Sequence, residues 1–211
     1  MDAPVNLPYL LQKALLFCGI LYALLICGTD ILAGLLTKGY RFDTQSASLL
    51  GGIGSTTRPL VLPLNIIAGI LLLACASGVW FSVDRNWGLR VMACLLAGNA
   101  LFTMLAVTFF PFHPTEPVNA PENTTNVILV AVGVILFVLA LVFGAVGNQN
   151  WFRWYSIGTI LLFILGAILS TFIYKLAPGG HSGPSVGIQE RTMIYAEMLW
   201  LALQMIVLWR A

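Results

Sequence analysis

The sequence predicts an all-α fold, a polytopic membrane protein built as a bundle of six transmembrane helices. The chain of 211 residues is 59% hydrophobic and only 9% charged, whereas a soluble domain carries about 25% charged residues. Its apolar residues are grouped in six runs, each near the ~20 residues that a bilayer requires. The strict alternation of a membrane β-barrel is absent, so each run is expected to be a helix that satisfies its own backbone groups.

The six predicted helices form a single domain that covers residues 1–211. Their predicted bounds are about 10–37, 59–83, 89–110, 127–146, 154–174 and 192–209. Short turns follow the second and fourth helices, and long loops follow the first, third and fifth. Both termini and the short turns are therefore expected on one side of the membrane, with the three long loops on the other.

The orientation of the bundle rests on its connecting loops. The 10 Lys and Arg residues divide equally between the two sides, so the positive-inside rule does not decide it. The long loop of residues 111–126 contains no Lys or Arg, which is typical of an external loop. We therefore expect a multi-pass protein of the cell membrane, as in a bacterial inner membrane, with both termini cytoplasmic. A net charge of +2 is too small to attract nucleic acid electrostatically, so nucleic acid is not an expected partner.

The last predicted helix and the residues before it carry a polar stripe. Glu190, Glu197 and Gln204 recur every seven residues, which is nearly two helical turns and places them on one face. Such a stripe is costly in lipid unless it faces protein, water or a ligand.

Other polar residues lie at the depth of Glu197. Asp30 lies about 10 Å from the long-loop boundary at about 1.5 Å per residue, and Asn65 is at a similar depth on the second helix. Arg58 and Arg191 end their helices on the same side and are candidate partners for the carboxylates. Alternatively, Asp30 and Glu197 face each other and share a proton. The amide side chains of Asn65 and Gln204 could instead form only hydrogen bonds between helices.

These residues suggest a ligand site. We expect an outward-facing pocket between the first, second and sixth helices that binds a lipid or a small hydrophobic molecule, because ligand pockets are mostly apolar with a few convergent polar groups. Membrane lipids are thus the expected partners. The candidate ligand-binding residues are Asp30, Arg58, Asn65, Glu190, Arg191 and Glu197.

Other functions fit the same residues. In a membrane enzyme acting on a lipid-borne substrate, Glu190 or Glu197 would be the general base and Arg191 or Arg58 the anion clamp. A small transporter would use Asp30 and Glu197, and an accessory subunit would bury the stripe against a protein partner or a second copy. No cofactor is expected. No metal site is predicted either, because His113 and His181 lack paired ligand spacing.

Short motifs along the chain resemble a known family. They are Gly39-Tyr40 and Ser48-x-Leu50 in the first long loop, Phe110-Pro111 after the third helix, and Gly187-Ile-Gln-Glu190-Arg191 before a helix with Trp200. With the six-helix layout, they resemble the prokaryotic membrane-protein family known as domain of unknown function 998. The resemblance implies a six-helix membrane fold and no particular activity. The loop after Pro111 departs from the family pattern, so no family role is carried over to His113.

Overall fold

The computed structural model describes residues 9–83, 86–148, 151–176 and 182–210, which contain seven α-helices and no named strand. The helices are α1 (Tyr9–Leu36), α2 (Ser48–Gly51), α3 (Arg58–Ser82), α4 (Trp87–Phe109), α5 (Pro121–Gly147), α6 (Trp151–Leu176) and α7 (Val186–Arg210). Six of them are long and apolar enough to cross a membrane, while α2 is a four-residue helix in the first long loop. The predicted fold class is confirmed.

Two helices begin six residues earlier than predicted. α5 begins at Pro121 instead of about residue 127, and α7 begins at Val186 instead of about residue 192. The prediction followed hydropathy, which is low in both initial segments. Proline is favoured in the first turn of a helix and Glu122 complements the helix dipole there, so α5 starts in its polar segment. α7 likewise includes Glu190 and Arg191, which are therefore held on a helix rather than on a loop.

The six long helices form a closed ring. Each packs against its neighbour in sequence, in the order α1, α3, α4, α5, α6 and α7, and α7 then packs against α1. Helices that are consecutive in sequence usually pack side by side in helical bundles. The first and last helices are thus adjacent, and residues distant in sequence meet at the α1–α7 contact.

Large side chains from α7 fill the part of the ring toward the termini. Trp200 is fully buried, with its ring 5.8 Å from Phe137 of α5 and 5.9 Å from Phe152 of α6. Its indole nitrogen donates a 2.9 Å hydrogen bond to the Ser156 hydroxyl, as a buried indole requires. Met205, also fully buried, packs against Gly19 of α1. The opposite, long-loop end of the ring holds most of the charged side chains considered below.

Candidate functional site

A buried ion pair joins α1 to α7 at the long-loop end of the bundle. The Arg191 guanidinium faces the Asp30 carboxylate, with Nε 2.9 Å from Oδ2 and Nη2 2.9 Å from Oδ1. Both side chains are only 8% exposed. The fork of arginine matches the two oxygens of a carboxylate, so the pair fixes the relative position of the two helices. Of the two candidate arginines, Arg191 is therefore the partner of Asp30.

The remaining donors of Arg191 hold the first long loop, residues 37–57, which we call the lid loop. Nη1 donates to the carbonyls of Phe42 and Gln45, each at 3.0 Å. Nη2 also donates to the Tyr40 hydroxyl at 2.6 Å. A guanidinium has five N–H donors, and together with the Asp30 contacts these bonds engage all of them. Arg191 is thus a structural cross-link between α1, α7 and the lid loop.

Two tyrosines complete this network. Tyr195, one turn after Arg191, donates a 2.6 Å hydrogen bond to Asp30 Oδ2. Tyr40 donates to the Ser46 carbonyl at 2.8 Å, and burial raises the pKa of the Tyr40 hydroxyl although Arg191 opposes the shift. We call Asp30, Tyr40, Arg191 and Tyr195 the latch. Neither tyrosine is among the ligand-binding residues that the sequence predicts, although Tyr195 shares a helix face with Arg191 at the i+4 position.

Aromatic rings and backbone bonds support the latch. The Arg191 guanidinium lies 4.8 Å from the Phe42 ring centroid and 5.4 Å from that of Tyr40, a geometry that favours a cation. The lid loop also bonds to the chain near the start of α7, where Gly183 N donates to Thr44 O at 2.9 Å and Ile188 N donates to Asp43 O. The lid loop is thereby ordered against α7.

Glu190 also binds the lid loop. Its Oε2 accepts a 2.9 Å hydrogen bond from the backbone N–H of Ala47 in the lid loop. Glu190 and Arg191 are consecutive, and both bind the lid loop. The carboxylate is committed to a backbone partner, which is a structural role for a residue that the sequence placed in a ligand site.

Gly187 allows this close approach. A Cβ on Gly187 would lie 2.6 Å from the Gln45 carbonyl oxygen and closer still to that of Phe42. Both obstacles are backbone atoms, so a side chain would displace the lid loop. A glycine where two segments of backbone approach closely has a structural reason.

Arg58 and Asn65 make other contacts. Arg58 Nη1 donates to the Gly51 carbonyl at 2.6 Å, and Asn65 Nδ2 donates to Val61 O of its own helix at 3.0 Å. Asn65 also lines a cavity of about 20 Å³ with Tyr22 and Asn99, between α1, α3 and α4. A cavity of that volume has room for about one water molecule and none for a lipid.

Glu197 is half-buried and lies near the buried Tyr22. It forms no hydrogen bond or ion pair with any residue that the structure describes, so Asp30 is not its partner. Of the predicted ligand-binding residues, Asp30 and Arg191 are brought together in the latch, and Glu190 binds the lid loop beside it. Asn65 and Glu197 point to other parts of the bundle.

A surface groove adjoins the latch. It has a volume of about 360 Å³ and is lined by Phe42, Asp43, Ile188, Arg191, Thr192 and Tyr195. We call it the α7 groove. At its lid-loop rim, Asp43 forms an exposed ion pair with Arg41 at 3.0 Å, and the hydrogen bond from Arg41 lowers the pKa of the Asp43 carboxyl. The groove thus combines apolar walls with a charged rim.

Comparison with known proteins identifies the family. A family model described as "Protein of unknown function (DUF998)" matches residues 18–207, which reach from α1 to the last turns of α7. The chain belongs to the DUF998 family. No curated protein and no solved structure matches the chain. The DUF998 match covers the latch, the lid loop and the α7 groove, and it confirms the resemblance seen in the sequence motifs.

Proposed function

We propose that this DUF998 protein binds a lipid or another small hydrophobic molecule in the α7 groove. The observation that carries the proposal is the position of the groove against the latch. Arg191 and Tyr195 of the latch line it together with Phe42 and Ile188, and the bonds of Arg191 to Asp30 and to the lid loop fix this side of the groove. Preorganised walls reduce the ordering cost of binding.

The size and lining of the groove support a hydrophobic ligand. Small-molecule sites commonly occupy about 300–1,000 Å³, and this groove has about 360 Å³. Ile188, Thr192 and Tyr195 recur at i, i+4 and i+7 and so lie on one face of α7. Ile188 is 55% exposed. An apolar side chain of this size can contact a hydrocarbon chain while the rim near Asp43 contacts a headgroup.

The role of the latch differs from that of an anion clamp. Because the Arg191 donors are all engaged within the chain, an anionic headgroup would have to break existing bonds to reach them. Glu190 is likewise engaged with Ala47. This arrangement supports binding to a fixed groove more than general-base catalysis by Glu190 with Arg191 as clamp.

The long-loop end is proposed to face outward, with both termini cytoplasmic. The support is the loop of residues 111–126, which lacks Lys and Arg and so resembles a translocated loop. In this orientation the α7 groove opens at the level of the outer leaflet, where a lipid could enter it from the side.

Filling the groove tests the proposal. Thr192→Trp places a large side chain in the groove, and Leu199→Trp is the matched control, because Leu199 is an exposed residue of α7 that does not line it. Native mass spectrometry of detergent-purified protein should show a bound lipid or small molecule on the wild type and the control. Retention should fall by about tenfold or more for Thr192→Trp, a change of about 1.4 kcal/mol. Equal retention by both variants would place the ligand elsewhere.

A further inference from the structure

A second cavity lies at the other end of the bundle. It has a volume of about 1160 Å³ and opens between the termini-side ends of α1, α3, α4, α5 and α7. We call it the vestibule. Among the described residues it shares no lining residue with the α7 groove, so a ligand here is distinct from the one proposed above.

Two cations that line the vestibule have no acidic partner among the described residues. Lys13 in the second turn of α1 and Arg210 at the end of α7 both line it. Neither forms an ion pair with any residue in the described ranges 9–83, 86–148, 151–176 and 182–210. Lys13 Nζ lies 4.3 Å from the Tyr9 ring centroid and 6.0 Å from that of Trp209. The aromatic rings orient this ammonium beside the cavity.

The deeper walls of the vestibule are apolar. They are formed by Leu16 and Ile20 of α1, Leu89 of α4, and Val207 and Leu208 of α7. Leu16 and Leu89 also belong to the main hydrophobic core. A chain of methylene groups in contact with these residues would be removed from water, which is favourable.

Two amide side chains, Asn148 and Gln204, lie beside the vestibule, and the pair is incompletely hydrogen-bonded. Asn148, which lines the cavity, donates a 2.8 Å hydrogen bond to Gln204 Oε1. Gln204 is fully buried, and its Nε2 has no hydrogen-bond partner in the part of the chain that the structure describes. A buried unsatisfied donor is costly, so a polar atom of a water or ligand near this pair would be stabilising.

We propose that the vestibule binds an anionic amphiphile with a single alkyl chain, such as a fatty acid. The acidic group pairs with Lys13 and Arg210 at the bilayer interface, and the alkyl chain lies against Leu16, Ile20 and Val207. The charge selects an acid over a neutral amphiphile, while the apolar walls select an amphiphile over a free anion.

Paired probes test both parts of this proposal. Dodecanoate and dodecanol differ in charge at similar chain length, and inorganic phosphate supplies an anion without a chain. Titration calorimetry of the full chain in maltoside micelles should show binding of dodecanoate, weaker binding of dodecanol and none of phosphate. Equal affinity for dodecanoate and dodecanol would overturn the proposal. Displacement of dodecanoate by millimolar phosphate would also overturn it, because the site would then recognise only the anion.

Matched lysine variants locate the site. Lys13→Gln should weaken dodecanoate binding by about fivefold, the contribution of one cation near a membrane surface, and Lys13→Arg should retain it. Lys38→Gln is the control, since Lys38 follows the opposite end of α1 and is exposed. An unchanged affinity in Lys13→Gln would overturn the proposal. Thr192→Trp in the α7 groove should leave dodecanoate binding unchanged, so the two proposals can fail separately.

Discussion

Arg191 shows how one charged residue can be accommodated within a membrane helix. An isolated charge away from water is very costly, and a buried ion pair compensates for it only with good geometry and further hydrogen bonds. Arg191 has both, because Asp30 takes two of its donors and the lid loop takes the others. The same contacts that make the charge tolerable join α1, α7 and the lid loop.

Removing the charge of Asp30 should therefore strongly destabilise the fold. Asp30→Asn replaces one acceptor oxygen by an NH₂ group that faces guanidinium donors and leaves Arg191 without its counter-ion. We expect the free energy of unfolding to fall by about 3–5 kcal/mol, the usual cost of breaking a buried pair from one side. Denaturant unfolding in mixed micelles measures the change.

Asp43→Asn is the control for this prediction. Asp43 also pairs with an arginine, but its side chain and that of Arg41 are 47% and 69% exposed. Exposed ion pairs contribute little to stability, so the unfolding midpoint should stay unchanged. If the two variants were equally stable, the Asp30–Arg191 pair would not have the role assigned to it.

At the scale of elements, the lid loop and α7 act as one unit. Backbone bonds from Gly183 and Ile188 to the lid loop, with those from Arg191, fix its path across the end of the bundle. The start of α7 must be a helix for this to happen, since Gly187 and Arg191 are one turn apart and both contact the loop. The lid loop in turn supplies Phe42 to the α7 groove.

Gly187→Ala should detach the lid loop from α7. The new Cβ would collide with the carbonyl oxygens of Phe42 and Gln45, so the lid loop must move away from α7. We expect faster hydrogen exchange across residues 41–50 and a lower unfolding midpoint.

Gly28→Ala is the matched control, because a Cβ there has nothing within 4 Å. Since alanine favours a helix over glycine by about 1 kcal/mol, this variant should be as stable as wild type or more so. Slow exchange of residues 41–50 in Gly187→Ala would show that the loop is not held as described.

The elements differ in how far sequence could predict them. Hydropathy alone located the six long helices, because bilayer thickness imposes their length. It misplaced the starts of α5 and α7, where polar residues continue a helix. Depth along each helix predicted that Asp30, Asn65 and Glu197 lie at one level. Depth does not specify rotation about the helix axis, so the sequence could not separate Asn65, which faces α4, from Asp30, which faces α7.

The latch is harder still to predict from the sequence, because its residues meet only through long-range contacts. Whether Arg58 or Arg191 pairs with Asp30 is decided by the path of the lid loop across the ring. That path rests on contacts of Gly187 with Phe42 and Gln45, which lie more than a hundred residues before it in sequence. No periodic pattern reports such contacts, so Tyr40 and Tyr195 were not among the predicted site residues.

At the scale of the whole molecule, the two ends of the closed ring carry different sites. The long-loop end is covered by the lid loop and carries the latch and the α7 groove. The termini end carries the vestibule with Lys13 and Arg210. Six spans place both termini on one side, so each end faces a different compartment or leaflet.

Cysteine labelling tests this arrangement. Cysteines introduced at the exposed positions Ser48 and Thr115 should react together with a membrane-impermeant maleimide from outside intact cells. A cysteine at Trp87, exposed at the start of α4, should react only after permeabilisation. Labelling of Ser48→Cys and Thr115→Cys from opposite sides would contradict the six-span ring, whereas reversal of the whole pattern would contradict only the proposed orientation.

The α7 groove, fixed by the latch, is proposed to hold a hydrophobic ligand. The most direct test is a photoreactive amino acid placed at position 188 in the groove, compared with the same residue at position 199 outside it. After extensive washing in detergent to remove bulk lipid, irradiation should attach a lipid or small apolar molecule to the peptide containing position 188, detected by its added mass. Equal adduct yields at positions 188 and 199, or no adduct at position 188, would contradict ligand binding in the groove.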